Sequence, residues 1–266
     1  MRRLVDRFAA VKAEKRAALI PFIMGGDPDL ATASAVLNAL PQAGADIIEI
    51  GIPFSDPMAD GPVIQAAGRR ALGTGTRMKD ILRMVEEFRS RDAQTPVILM
   101  GYVNPVHHYG IARFCRDAAR AGVDGMILVD LPPEEEAEIK AAAQAAGLAL
   151  IRLVAPSSPE QRLPKLLQHA QGFVYYISVA GITGAQSADL ATLQRQVERL
   201  KAHTALPVAV GFGIKTPEQA AAVGKFADAV VVGSALVNVI AGAETMDAAV
   251  RDASAFVQSL RMALTA

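Results

Sequence analysis

Ala43-Gly-Ala-Asp-Ile-Ile-Glu-Ile-Gly51 packs a helix end, an acidic turn and an apolar strand into nine residues. The pattern returns twice. Ala121-Gly-Val-Asp124 leads into Gly125-Met-Ile-Leu-Val129, and Phe226-Ala-Asp228 leads into Ala229-Val-Val-Val232. Glycine at a helix end takes a left-handed backbone at little cost. The apolar run after each aspartate suits a strand covered on both faces. Working outward, the chain offers eight such runs: Leu19–Met24, Asp46–Gly51, Val97–Tyr102, Gly125–Asp130, Leu148–Leu153, Gly172–Ser178, Val208–Phe212 and Ala229–Val232. Between them, apolar residues three and four apart predict helices, as in Leu30–Leu40, Ile81–Phe88 and Leu190–Leu200.

Strict alternation of strand and helix implies right-handed βαβ units and a parallel sheet. Eight units in 266 residues predict one α/β domain spanning 1–266, a closed (β/α)8 or TIM barrel. The alternative is an open doubly wound sheet, which usually carries G-x-G-x-x-G after its first strand. Here that strand ends Met24-Gly-Gly-Asp-Pro28, without the spacing. Leu4, Phe8 and Val11 share one face of an extra N-terminal helix, placed to plug the barrel bottom. Met246, Val250, Phe256, Val257 and Leu260 give the last helix a core stripe.

Lys plus Arg is 27 and Asp plus Glu is 27, so the formal net charge is zero. That argues against nucleic-acid or polybasic membrane binding, which both need a cationic surface. Apolar residues make up 52%, enough for a large core. The single cysteine, Cys115, excludes an internal disulfide and a multi-cysteine metal site, and it suits a reducing compartment. Arg7, Lys12, Glu14, Lys15 and Arg16 interrupt any signal-like apolar run. The most apolar stretch, Ala227 to Ala243, is too short and too broken to span a bilayer. The expectation is a soluble, cytoplasmic protein.

The chemistry concentrates after the second strand. Alternation puts Ile47, Glu49 and Gly51 on one face and Ile48 and Ile50 on the other. Helices would cover the isoleucines, so Glu49 would point into the barrel near the mouth where barrel active sites form. Burial raises a carboxyl pKa, and such a group can give and take a proton near neutral pH. The structural alternative is a buried Glu held by a backbone or arginine partner. Pro53 to Gly61 reads as a lid-length loop, with Asp56 and Asp60 as functional acids, solvated loop acids or helix caps. A divalent metal lacks a completed ligand set there.

Gly181-Ile-Thr-Gly184, Gly211-Phe-Gly213 and Gly233-Ser234 follow the last three strands. In barrels, loops after strands seven and eight and a short extra helix commonly hold a phosphate on backbone N–H groups. The short helix here is predicted from Ala235 to Ile240. No lysine lies in a predicted strand, which disfavours a Schiff-base aldolase. His107, His108, His169 and His203 form no i, i+4 metal pair and read as structural or surface residues; Cys115 reads as a buried, inert thiol.

These residues resemble the tryptophan synthase alpha chain family. The run Ile48 to Gly61 matches its signature. So do Pro21 to Pro28, Gly101-Tyr-Val-Asn-Pro105, Ser178 to Gly184, and Gly211 to Ile214 followed by Thr216-Pro-Glu218, in order across essentially the whole chain. The resemblance implies a carbon–carbon lyase that cleaves indole-3-glycerol phosphate to indole and glyceraldehyde 3-phosphate, a retro-aldol reaction without metal or Schiff base. By the same resemblance Glu49 is the acid/base, Asp60 binds the indole N–H, and Tyr175 lies near the reacting centre. Thr183, Gly184, Phe212, Gly213, Gly233 and Ser234 would hold the phosphate end, and Phe22, Ile64, Met100 and Val129 the indole. It further implies a beta-chain partner in an alpha2-beta2 heterotetramer for tryptophan biosynthesis. Pyridoxal phosphate would sit on the beta chain alone. Loops carrying Pro53, Asp56, Asn104 and Pro132 match the contact side. Well-studied members have arginine where this chain has Val179.

Two other readings compete. A phosphate-sugar isomerase or cyclase would need a second strand-end acid, base or lysine. Asp130 is the remaining strand-end acid, and its bland role is to fix a loop. A non-catalytic activating subunit would be signalled by loss of the acid at position 49 or 60, and both are present.

Overall fold

The computed structural model describes residues 1–177, 187–211 and 213–265. Their strands are β1 (Ala18–Met24), β2 (Ile48–Gly51), β3 (Val97–Gly101), β4 (Gly125–Leu128), β5 (Ala149–Leu150), β6 (Arg152–Val154), β7 (Val174–Ile177), β8 (Val208–Gly211) and β9 (Ala229–Val232). All pairings are parallel, in the order β5-β4-β3-β2-β1-β9-β8-β7-β6. The two ends of that order are consecutive in the chain, separated only by Ile151, so the sheet closes on itself. The run expected as one strand, Leu148–Leu153, is therefore divided. Its first half pairs with β4 and its second with β7, while Ile151 N–H still donates to the Met126 carbonyl at 3.0 Å. The fold is the expected TIM barrel.

The helices used below are α1 (Arg2–Ala13), α2 (Leu30–Ala39), α3 (Pro62–Gly73), α4 (Met78–Arg89), α5 (Val103–Tyr109), α6 (Ile111–Ala121), α7 (Ala137–Ala146), α8 (Leu163–Leu167), α9 (Ser187–Lys201), α10 (Pro217–Gly224), α11 (Ser234–Ala241) and α12 (Met246–Ala263). They cover the outward strand residues, so Leu19, Ile23, Ile48 and Ile50 belong to the layer between sheet and helices. Ile20, Ile47, Ile98, Ile127 and Ile151 fill the barrel interior.

Leu4, Phe8 and Val11 of α1 are buried in that interior cluster, and the Phe8 ring lies 5.7 Å from Phe173. Each such side chain contributes about 1.5–3 kcal/mol by leaving water, which makes α1 a stopper rather than an appendage. On α12 the stripe is narrower than expected. Ala249, Ala253, Val257 and Leu260 are buried and Val250 and Phe256 pack at its edge, but Met246, in the first turn, is exposed.

The repeated aspartates share one job. Asp46, Asp124 and Asp228 each bond back to the start of a neighbouring strand. Their carboxylates accept from Leu19 N–H (2.8 Å), Val97 N–H (2.9 Å) and Val208 N–H (2.8 Å). Their own N–H groups donate to the carbonyls of the same three residues. Basic side chains complete each clamp: Arg16 on Asp46, Arg3 and Arg89 on Asp124, and Lys201 on Asp228. Arg3 within α1 and Arg16 just after it tie the N-terminal segment to two different strand starts. Gly44 and Gly122, just ahead of two of the clamps, take positive φ (101° and 94°), as the sequence required.

Candidate active site

Glu49 lies in register between Phe22 on β1 and Ile98 on β3, facing inward. It is fully buried, and among the described residues neither carboxylate oxygen has a hydrogen-bond partner. The alternative of a structural Glu with a backbone or arginine partner is thereby overturned. Burial, reinforced by the charge of Asp60, pushes its pKa up to about 8. Full burial beside a second carboxylate disfavours the ionised form, so the neutral acid is favoured at pH 7.

Asp60 reaches the same region from the loop before α3. Helix α3 takes Gly61 as its N-cap with no side-chain cap, so neither Asp56 nor Asp60 serves as the cap. Burial pushes Asp60 up to about 6, against the lowering effect of a hydrogen bond from the Tyr102 phenol. At pH 7 the pair is therefore split, with Glu49 protonated and Asp60 ionised. Two carboxyls in different charge states at one pH are able to divide proton donation and charge stabilisation between them. Tyr175 on β7 is buried, and its phenol is pushed well above its ordinary range by burial and by the nearby Glu49.

Phe22, Ile64, Met100 and Val129 line one cavity together with Asp60 and Tyr102. Four expected apolar contacts and one expected acid thus come from four separate stretches of chain. A Cβ at Gly51 would stand 2.6 Å from the Phe22 ring, so any larger residue there would force that ring to shift. Of the residues expected to hold a phosphate, Gly213 follows β8 with φ +64°, and no atom of the described residues lies within 4 Å of where its Cβ would be. Gly233 is the N-cap of α11 and Ser234 its first residue. The first N–H groups of a helix have no intrahelical acceptor, so the start of α11 leaves free backbone donors at Gly233 and Ser234. A Cβ on Gly233 would lie 3.6 Å from Phe22, which joins this end to the apolar cavity. Thr183, Gly184, Phe212 and Val179 lie outside the described residues.

Asp130 has the bland role, accepting from Val103 N–H (2.8 Å) at the start of α5. All four histidines are at the surface, and Cys115 is a buried helix thiol pushed up to about 11. Asp56 and Pro132 are exposed on loops after β2 and β4, Asn104 is exposed in the first turn of α5, and Pro53 is buried.

Tyr102 carries a role that the sequence reading did not assign. It is buried at the end of β3, accepts from Ala59 N–H at 3.0 Å and bonds Asp60. It fastens the acidic loop to the barrel. An aromatic with a hydroxyl one residue past a strand was the available signal. Asp27 was also missed as a structural acid: it forks with Arg70 (2.7 and 2.9 Å) and anchors α3 to the loop after β1.

The family model for the tryptophan synthase alpha chain matches residues 8–265. A tryptophan synthase alpha chain from Gluconacetobacter diazotrophicus is 52% identical over the full length of both chains. Among solved structures, the tryptophan synthase subunit alpha of Legionella pneumophila str. Paris superposes with a TM-score of 0.91 at 44% identity, covering 98% of each chain. A chain of Mycobacterium tuberculosis tryptophan synthase gives 0.90 at 39% identity, covering 99% of this chain and 98% of that one.

Proposed function

The chain belongs to the tryptophan synthase alpha chain family, and from that premise we propose how its residues divide the reaction. The activity is the alpha subunit's cleavage of indole-3-glycerol phosphate, a carbon–carbon lyase reaction in tryptophan biosynthesis. Indole and glyceraldehyde 3-phosphate are its products.

The bond to be broken joins C3 of the indole to a carbon bearing a hydroxyl. Glu49, protonated at neutral pH, gives its proton to C3. The ring becomes a cation whose charge spreads to N1, and the Asp60 carboxylate accepts the N1–H bond and stabilises that charge. Glu49, now a carboxylate, takes the hydroxyl proton. The carbon–carbon electron pair flows into the ring, restoring the aromatic indole with hydrogen at C3 and leaving an aldehyde. One proton has left Glu49 and one has returned. Tyr175 borders the reacting carbon and excludes water. Phe22, Ile64, Met100 and Val129 hold the indole plane. The phosphate rests on the backbone at Gly213, Gly233 and Ser234, with Thr183, Gly184 and Phe212 assigned to the same end by family resemblance. None of these steps draws on a cofactor of this chain. In this family, pyridoxal phosphate lies on the beta chain.

The family implies a beta-chain partner, and the proposed assembly is alpha2-beta2 with Asp56, Asn104 and Pro132 on the contact side. The proposed domain is the whole of 1–266, and the proposed compartment is the cytoplasm. No described helix is long and apolar enough to cross a membrane.

The observation that carries the mechanism is the unpartnered, buried Glu49 carboxyl beside a second acid of lower pKa. The test is indole release by the full chain, alone and with a beta chain. Glu49→Gln should lower kcat by at least about 10²–10⁴ while circular dichroism stays native. Retention of half the wild-type kcat would overturn the role of Glu49.

A further inference from the structure

A second cavity, of about 800 Å³, opens at the opposite end of the barrel from Glu49. It lies between α1, the α9–β8 connection and the α10–β9 connection, and its size falls within the roughly 300–1,000 Å³ usual for small-molecule sites. Its inner wall is apolar, formed by Phe8, Leu206 and Pro207 among others. Its basic residues are of two kinds. Arg16 is used up by Asp46 and Glu14, and Lys201 by Asp228. Lys12, Lys15 and Lys225 also line the cavity and, among the described residues, meet no carboxylate. Three uncompensated ammonium groups around one apolar hollow stand out in a chain of zero net charge. Lys15 adds a backbone oddity: it takes φ +57° where α1 ends, a position at which glycine is the cheaper residue. Cations at helix C-termini favour the helix dipole, and Lys12, Lys15 and Lys225 sit at two such ends. That accounts for the charges but not for the unfilled apolar wall between them.

We propose that this cavity is a binding site for an amphipathic organic anion. The carboxylate, sulfonate or phosphate would lie among Lys12, Lys15 and Lys225, and the apolar body against Phe8, Leu206 and Pro207. The site is independent of the roles assigned to Glu49 and Asp60.

The probe is 8-anilinonaphthalene-1-sulfonate, titrated into the full chain and followed by fluorescence. Binding should saturate at one equivalent. Octanoate should displace the probe, and octanol, with the same apolar body and no charge, should not. Lys12→Glu/Lys15→Glu/Lys225→Glu should weaken binding by about tenfold or more with indole release unchanged, which also reports an intact fold. If that variant does not fold, Lys→Gln at the same positions should weaken binding by a smaller factor. Glycerol 3-phosphate, aimed at the Gly213 end of the barrel, should leave the probe in place. Non-saturable binding, equal affinity in the charge variants, or displacement by glycerol 3-phosphate would each overturn the proposal.

Discussion

Replacing Glu49 by glutamine should make the stability of the protein less sensitive to pH, by an amount that the burial of the side chain sets. The wild-type carboxyl is held at about 8 against an ordinary value of 4.5. As pH rises through 4.5 the unfolded chain releases this proton, while the folded chain keeps it until about 8. The folded state then binds more protons than the unfolded one, so stability falls as pH rises through that window. The loss is about 1.4 kcal/mol per pH interval, or about 3 kcal/mol between pH 5 and pH 7. Glutamine cannot ionise and has no such slope. Its own penalty as a buried amide is the same at every pH and cancels from the comparison, as do all other carboxyls. Urea unfolding of both proteins at pH 5, 6 and 7 therefore gives a stability difference, variant minus wild type, that rises by about 3 kcal/mol. A difference constant to about 0.5 kcal/mol would mean that Glu49 is already ionised in the fold at pH 5, and the general-acid argument would fail with it.

The same split predicts a bell-shaped kcat/KM with limbs near pH 6 and 8, since Asp60 must be ionised and Glu49 protonated; limbs set by other values would reassign the pair. Asp60→Asn should lose kcat chiefly, because its charge matters most when the ring is cationic; a rise in KM alone would make it a uniform binding residue. Tyr102→Phe removes a bond that lowers the Asp60 pKa, so the acid limb should move to higher pH and kcat/KM should fall by roughly tenfold, about the worth of one hydrogen bond to a charged group. An unmoved acid limb would leave Tyr102 with a packing role only. Gly213→Val places a side chain in open space at a left-handed position; KM for the phosphorylated substrate should rise far more than Tm falls, and competition by inorganic phosphate should weaken. Unchanged phosphate inhibition would put the anion elsewhere.

Much of the architecture was readable because it follows from periodicity. Alternation alone separates Ile48 and Ile50 from Glu49, and each isoleucine lies under helices as that rule requires. The Ala-Gly-x-Asp echo signalled a repeat, though not its purpose, because the partners of each aspartate are strand starts 20 to 27 residues earlier. Asp60 was ambiguous for a related reason. A carboxylate one residue ahead of a cap position looks like a cap until the loop's path is known, and Gly61 takes that place. Tyr102 was hidden because its value depends on where another loop lies. Met246 fits the helical stripe of α12 yet is exposed in its first turn. Local pattern specifies a face; whether something stands opposite that face is a tertiary fact.

The stopper at the barrel bottom reverses the order of synthesis. Helix α1 is made before every strand of the barrel it plugs, and little of what holds it exists until much later. Arg3 finds Asp124 across 121 positions of chain, and the Phe8 ring meets Phe173. A growing chain that has emerged only through β3 carries an amphipathic helix with its apolar side uncovered and one arginine clamp, at Asp46, to steady it. Contacts this distant carry the full loop-closure cost before they return anything. The first twelve or so residues are thus handled late, and until then they are the part of the nascent chain most exposed to capture by a chaperone or by a second copy of itself.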